Sequence, residues 1–71
     1  MMQKIKVNTE EIRLDQFLKW ANVSGSGGES KVLIQSGMVK VNGLLEMKRG
    51  RLLKSGYTVE VEGVGSFLVV M

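Results

Sequence analysis

The stretch Ser24-Gly25-Ser26-Gly27-Gly28-Glu29-Ser30-Lys31 joins three hydroxyls and three glycines to a lysine, the composition of a loop that wraps a phosphate. A nucleotide-hydrolysing P-loop needs G-x-x-x-x-G-K-[ST] directly after a strand, so that backbone amides ring the phosphate and the hydroxyl holds magnesium. That spacing is missing here and no strand pattern precedes it, which sets nucleotide hydrolysis aside. Two readings stay open. The glycines can simply turn the chain, or the amides of a helix start, with Lys31 one turn in, can meet a backbone phosphate. Glu29 weighs against the second, because its charge already sits at the positive end of the helix dipole.

A second cluster is Lys48-Arg49-Gly50-Arg51. Glycine lets two arginines project from a bend, and guanidinium forks match phosphate oxygens bidentately where lysine acts as a point charge. A third is the stripe Arg13, Gln16, Trp20, spaced i, i+3, i+7. Arginine, amide and indole offer a phosphate clamp, a base-edge partner and a stacking surface; alternatively Trp20 caps the edge of the core with its ring half buried. Gln16 and Lys19 are candidate contacts on the same helix, although Asp15 and Lys19, at i and i+4 with the acid first, are also expected to pair on the surface.

Catalysis has little to work with. The 71 residues contain no histidine and no cysteine, and Asp15 is the only aspartate. No serine has a histidine base, no cluster has metal-ligand spacing, and no cofactor is expected. Glu60 and Glu62 share one side of a strand pattern, which an exposed strand face explains without further assumption.

These residues need elements to hold them. Leu14, Phe17, Leu18 and Ala21 recur at i, i+3, i+4, i+7 and predict a helix over about Arg13 to Asn22. Ser26 and Glu29 have the S-x-x-E spacing of a capping box, which starts a second helix running from about Gly27 to Ser36, with Gly37 suited to a left-handed C-terminal position. The period then changes to two. Val39 to Asn42 and Leu45 to Lys48 form a hairpin about an Asn42-Gly43 type I′ turn, Tyr57, Val59 and Val61 alternate with polar residues, and a last strand covers about Ser66 to Val70. Lys4 to Val7 is a possible short first strand. The fold class expected is α+β: a helix-loop-helix on one face of a small antiparallel sheet of four to five strands. A chain this short makes one domain over residues 1–71.

Composition sets the class of partner. The chain is 44% apolar and 24% charged and has no apolar run long enough for a membrane span, so a soluble protein with no membrane association is expected. The start, MMQKIKVNTEE, has the pattern of neither a signal nor a transit peptide, from which a cytoplasmic location is expected. The net charge of +3 is modest but polarised: Lys40 to Lys54 carries five bases against Glu46, whereas Ser55 onward carries only Glu60 and Glu62. A locally basic surface attracts polyanions whatever the overall balance.

Taken in order, "RLDQFLKWANV", "SGGESKVLIQSGMVKVNG" and "RGRLLKSG" followed by a strand resemble the S-four RNA-binding domain, named after a small-subunit ribosomal protein, over about Ile12 to Gly63. The form with "SGGESK" and "RGR" is similar to small stand-alone bacterial members. The resemblance implies an RNA-facing surface made by the two helices and the hairpin, used on ribosomal and other structured RNAs, with Arg13, Lys31 and Lys40 on it and Lys48, Arg49 and Arg51 at its border. Two positions depart from the pattern. Many members have arginine where Lys31 stands, which exchanges a fork for a point charge, and many have Gly-Asp where Gly56-Tyr57 stands. The expected function is recognition of structured RNA, ribosomal RNA above all, by shape and phosphate placement, with the ribosome as a candidate partner and no small-molecule substrate. Two rivals remain. One is a protein-interaction module docking on a larger complex through Leu44, Leu45 and the strand near Phe67, and the other is a duplex-DNA binder with helix two in a groove. The RNA expectation requires cationic side chains from three separated segments to converge on one flank that carboxylates do not cover.

Overall fold

A computed structural model describes residues 2–71. The elements, in chain order, are β1 (Met2–Lys6), β2 (Ile12–Arg13), α1 (Leu14–Trp20), α2 (Gly27–Gln35), β3 (Val39–Val41), β4 (Leu44–Leu45), β5 (Leu52–Leu53), β6 (Thr58–Val61) and β7 (Gly65–Val70). A five-stranded sheet runs β1-β7-β6-β3-β4, and β2 pairs with β5 in a separate two-stranded ladder.

The α+β class and the helix pair on a sheet are as expected, with one difference in the sheet. It is mixed, not antiparallel throughout, because β1 lies parallel to β7, Met2 opposite Ser66 through Lys6 opposite Val70. Parallel neighbours need a long connection between them. Here nearly the whole chain supplies it, a relation between the two ends that local periodicity does not report.

Strand alternation divides the sheet into two faces. Val39, Val41, Val59, Val61, Phe67 and Val69 turn inward and pack with Leu14, Phe17, Leu18 and Ile34 from the helices, with Leu53 and Val7 completing the core. Phe17 and Phe67 meet edge to face, ring centroids 6.4 Å apart, a pairing that adds about 0.5–1.5 kcal/mol to the area they bury. Lys40 and Glu60 stand opposite each other on adjacent strands of the outer, solvated face.

Both helices end one or two residues earlier than the periodicity alone predicts, each through a left-handed residue. After α2 that residue is Gly37, φ +79°, where a glycine carries no Cβ penalty; after α1 it is Asn22, φ +59°. The hairpin turn has Asn42 and Gly43 both at positive φ, as a type I′ turn requires. Asn42 also accepts a hydrogen bond from the Thr58 N–H through Oδ1 at 2.9 Å, which extends the β3–β6 pairing by one residue. The second hairpin strand is only Leu44–Leu45, ending well before Lys48; beyond it the chain leaves the sheet to form the basic turn.

Candidate nucleic-acid interface

Helix α1 begins without a side-chain cap. Arg13 occupies the N-cap position in an extended conformation and makes no capping hydrogen bond, so the first amides need partners from elsewhere. They find them in the basic turn: the Leu14 N–H donates to the Arg51 carbonyl at 2.8 Å and the Asp15 N–H to the Arg49 carbonyl at 3.1 Å. The short ladder placing Ile12 opposite Leu53 and Arg13 opposite Leu52 runs directly into these bonds. A segment more than thirty residues away in sequence is therefore locked against the start of α1.

The turn itself is closed by the Arg51 N–H donating to the Lys48 carbonyl at 3.2 Å. Glu46 braces both ends, accepting from the Lys48 N–H at 3.3 Å and from Arg51 Nη1 at 2.9 Å. The Arg51 guanidinium also lies over the Tyr57 ring, 5.9 Å from its centroid, so tyrosine at this position supports an arginine as well as forming part of a turn.

A third segment joins through two serines. Ser30, fully buried in the first turn of α2, donates from Oγ to the Asp15 carbonyl at 3.0 Å, and its hydroxyl is also hydrogen-bonded to that of Ser24. This ties α2 to the same first turn of α1, and the exposed Lys31 follows immediately. Arg13, Lys31, Lys48, Arg49 and Arg51 thus come from three segments hydrogen-bonded to one another at one junction.

Two carboxylates belong to that junction, and both lie beneath it. Asp15 pairs with Arg13 and Glu46 with Arg51, each at 2.9 Å; the arginine side chains are 45% and 43% exposed while the acids are 12% and 18% exposed. Each acid takes one guanidinium N–H and positions the fork, leaving donors on the outer side for another anion. Asp15 also accepts from the Gln16 N–H at 2.9 Å. Its partner is thus Arg13 and not Lys19, as i, i+4 spacing predicts: Asp15 is turned inward, only 8% exposed, while Lys19 stays on the outer face of the helix.

The glycine-rich loop is closed on itself. Ser26 Oγ accepts from the Glu29 N–H at 3.2 Å, and Glu29 Oε2 accepts from the Gly25 N–H at 2.9 Å, the reciprocal bonding of a capping box displaced by one residue on its return arm. The Glu29 carboxylate thus occupies the Gly25 N–H, and the Ser26 hydroxyl occupies the Glu29 N–H.

Gln16 and Lys19 are exposed on α1 and, with Ile12 and Trp20, line a shallow depression beside the junction. Trp20 is half exposed and donates from Nε1 to the Lys6 carbonyl at 2.7 Å. Lys40 is not brought to the junction; it stands on the outer sheet face against Glu60. The sequence reasoning missed Glu46 and Tyr57 as supports of the basic turn and Ser30 as the link between helices. Only Ser30 left a signal, a hydroxyl on the inward stripe of α2 beside Leu33 and Ile34.

A family model described as S4 domain matches residues 5–70. The chain belongs to the S4 domain family. This S4 domain is also 47% identical over 70 residues, 99% of each chain, to a protein of Bacillus subtilis (strain 168) named probable ribosome maturation protein RlbA. The match takes in β1 and β7 as well as the Ile12 to Gly63 stretch that carries the motifs. Among its described residues, no helix is long and apolar enough to cross a membrane, and no group of three or more histidine, cysteine, aspartate or glutamate residues stands together to hold a metal.

Proposed function

We propose that this S4 domain is a cytoplasmic, non-catalytic protein that binds structured RNA, ribosomal RNA in particular, and acts during ribosome maturation. The observation that carries the reading is the layering at the junction: two guanidinium groups face outward over covered carboxylates, with the exposed Arg49, Lys48 and Lys31 on the segments bonded to them. Such a surface presents cations at fixed separations to a ribose-phosphate ridge and has little to offer a neutral ligand. The name of the Bacillus relative supports the ribosomal assignment.

The outer sheet face suits RNA less well. Lys40 stands opposite Glu60 there, with Glu62 just past the end of the same strand, so we assign it no primary contact. A protein-docking reading retains one specific observation, the exposure of Leu44, Leu45 and Met47 beside the hairpin.

Crosslinking the protein to RNA in cells and sequencing the attached fragments tests the proposal. Concentration of crosslinks in a few segments of ribosomal RNA is expected. Fragments that follow transcript abundance with no ribosomal focus would overturn the ribosomal assignment. Co-purification of a stoichiometric protein partner that survives nuclease, with no RNA attached, would replace RNA by the docking reading.

A further inference from the structure

Trp20 is the only tryptophan in the chain, and the cation junction does not use it. It closes α1 with 50% of its surface exposed, an unusual amount for so large an aromatic. Its single polar atom is already satisfied, since Nε1–H donates to the Lys6 carbonyl at 2.7 Å. That bond anchors the indole to the end of β1, so the surface left to solvent is apolar ring held in one orientation. Gln16, one turn earlier on the same face of α1, and Lys19, the residue before Trp20, line the depression beside it together with Ile12, and no acidic residue does.

We propose that Trp20, with Gln16 and Lys19, forms a stacking site for one unpaired nucleobase, so that the RNA this domain selects presents a looped or flipped-out base next to the phosphates held at the junction. The inference rests on the RNA-binding reading above and deepens it. A fixed aromatic plane accepts any base, and a base on it loses no ring mobility that the protein must then restrain. Gln16 supplies both a donor and an acceptor for a base edge, and Lys19 supplies a cation for the adjoining phosphate. From the first residue of α1 to Trp20 the helix rises roughly 9 Å, which places the platform and the arginines within reach of the same strand. A duplex, with its bases stacked inside, could use the cations but not the indole.

With excitation at the red edge, where Tyr57 does not absorb, the intrinsic fluorescence of this protein reports Trp20 alone, which makes the test direct. Single-stranded oligoadenylate and a blunt RNA duplex of equal length are titrated at low salt, where electrostatic attraction alone holds either RNA. Both are expected to bind, and only the single strand to quench the tryptophan. Trp20→Ala is expected to weaken the single strand roughly 5- to 150-fold, the range for loss of one base–aromatic stack, and to leave the duplex unchanged. Trp20→Phe keeps a flat ring and loses the bond to Lys6; it is expected to retain most of the single-strand affinity. Equal losses for both RNAs in Trp20→Ala, not restored by phenylalanine, would make Trp20 a structural staple and overturn the proposal. Absence of quenching with normal affinity would overturn it too while leaving the RNA reading intact. Failure of the wild-type protein to bind either RNA would remove both, and quenching by a ribosomal protein alone would assign the indole to a protein contact.

Discussion

The two helices of this domain start in opposite ways. Helix α2 is capped within its own sequence, by Ser26 and Glu29 acting on amides a few residues away. Helix α1 borrows its caps from the Arg49 and Arg51 carbonyls, far along the chain. A local cap fixes only where a helix begins. A distant one also fixes what stands beside that beginning, and here it brings in the arginine-bearing turn. The glycine-rich stretch that most resembles a phosphate loop has two of its amides, those of Gly25 and Glu29, engaged by its own capping side chains, whereas the plain start of α1 has become the centre of the cationic surface.

The comparison is broken most severely by loosening the borrowed cap. Leu53 is fully buried and holds β5 against β2 at Ile12. Leu53→Ala is expected to cost about 2–5 kcal/mol in urea unfolding, as other buried leucine truncations do, and to lower RNA affinity under conditions where the protein is still folded. Full affinity in the folded variant would mean that the turn keeps its place without the ladder.

Removing the cations without touching the cap separates binding from stability. In the double variant Arg49→Ala, Arg51→Ala the carbonyls that cap α1 remain, and the only ion pair lost is the partly exposed one between Arg51 and Glu46, worth at most about 1 kcal/mol. RNA binding is expected to weaken by about 1.5–3 kcal/mol, and the slope of log affinity against log salt to flatten by between one and two units, since each neutralised phosphate releases condensed counterions. A thermal midpoint that falls sharply, with the salt slope unchanged, would reverse the roles of side chain and backbone assigned here.

The local start predicts the converse. Ser26→Ala removes the side-chain acceptor for the Glu29 N–H and is expected to cost about 1 kcal/mol of stability, read as a lower midpoint in urea, with an unaltered salt slope. A slope that changes with this substitution would return the glycine-rich amides to the RNA surface.

This division also marks what was legible in the sequence. The capping box, the Gly37 terminus, the Asn42-Gly43 turn and the inward face of α1 are written within a few residues of one another, and each forms where periodicity and turn chemistry place it. The cations of the site were legible too, because charge is visible in sequence whatever the fold. What could not be read was how they are held. The β2–β5 ladder is two residues on each side, too short for an alternating pattern, and its members Ile12 and Leu53 are equally good helix, strand or core residues. Glu46 reads as an ordinary surface acid until the turn folds back over it. Asp15 has two basic neighbours at usable spacing, Arg13 and Lys19, and the choice between them is made by burial. The parallel pairing of β1 with β7 joins the chain's two ends and has no local signature.

The smallest expected effect concerns Glu46, where the two functions of the junction oppose each other. Its carboxylate neutralises part of the Arg51 charge and also holds both ends of the turn. Glu46→Gln keeps an acceptor oxygen for one of those bonds and removes the negative charge. If the arginine is already well placed by the α1 amides and by Tyr57, losing that charge should strengthen RNA binding by about twofold at low salt, the scale of a partly exposed ion pair. The gain should vanish as added salt screens the site. Weaker binding at every salt concentration would instead make the carboxylate the principal support of the turn, and the backbone cap on α1 would then be a consequence of that support and not its cause.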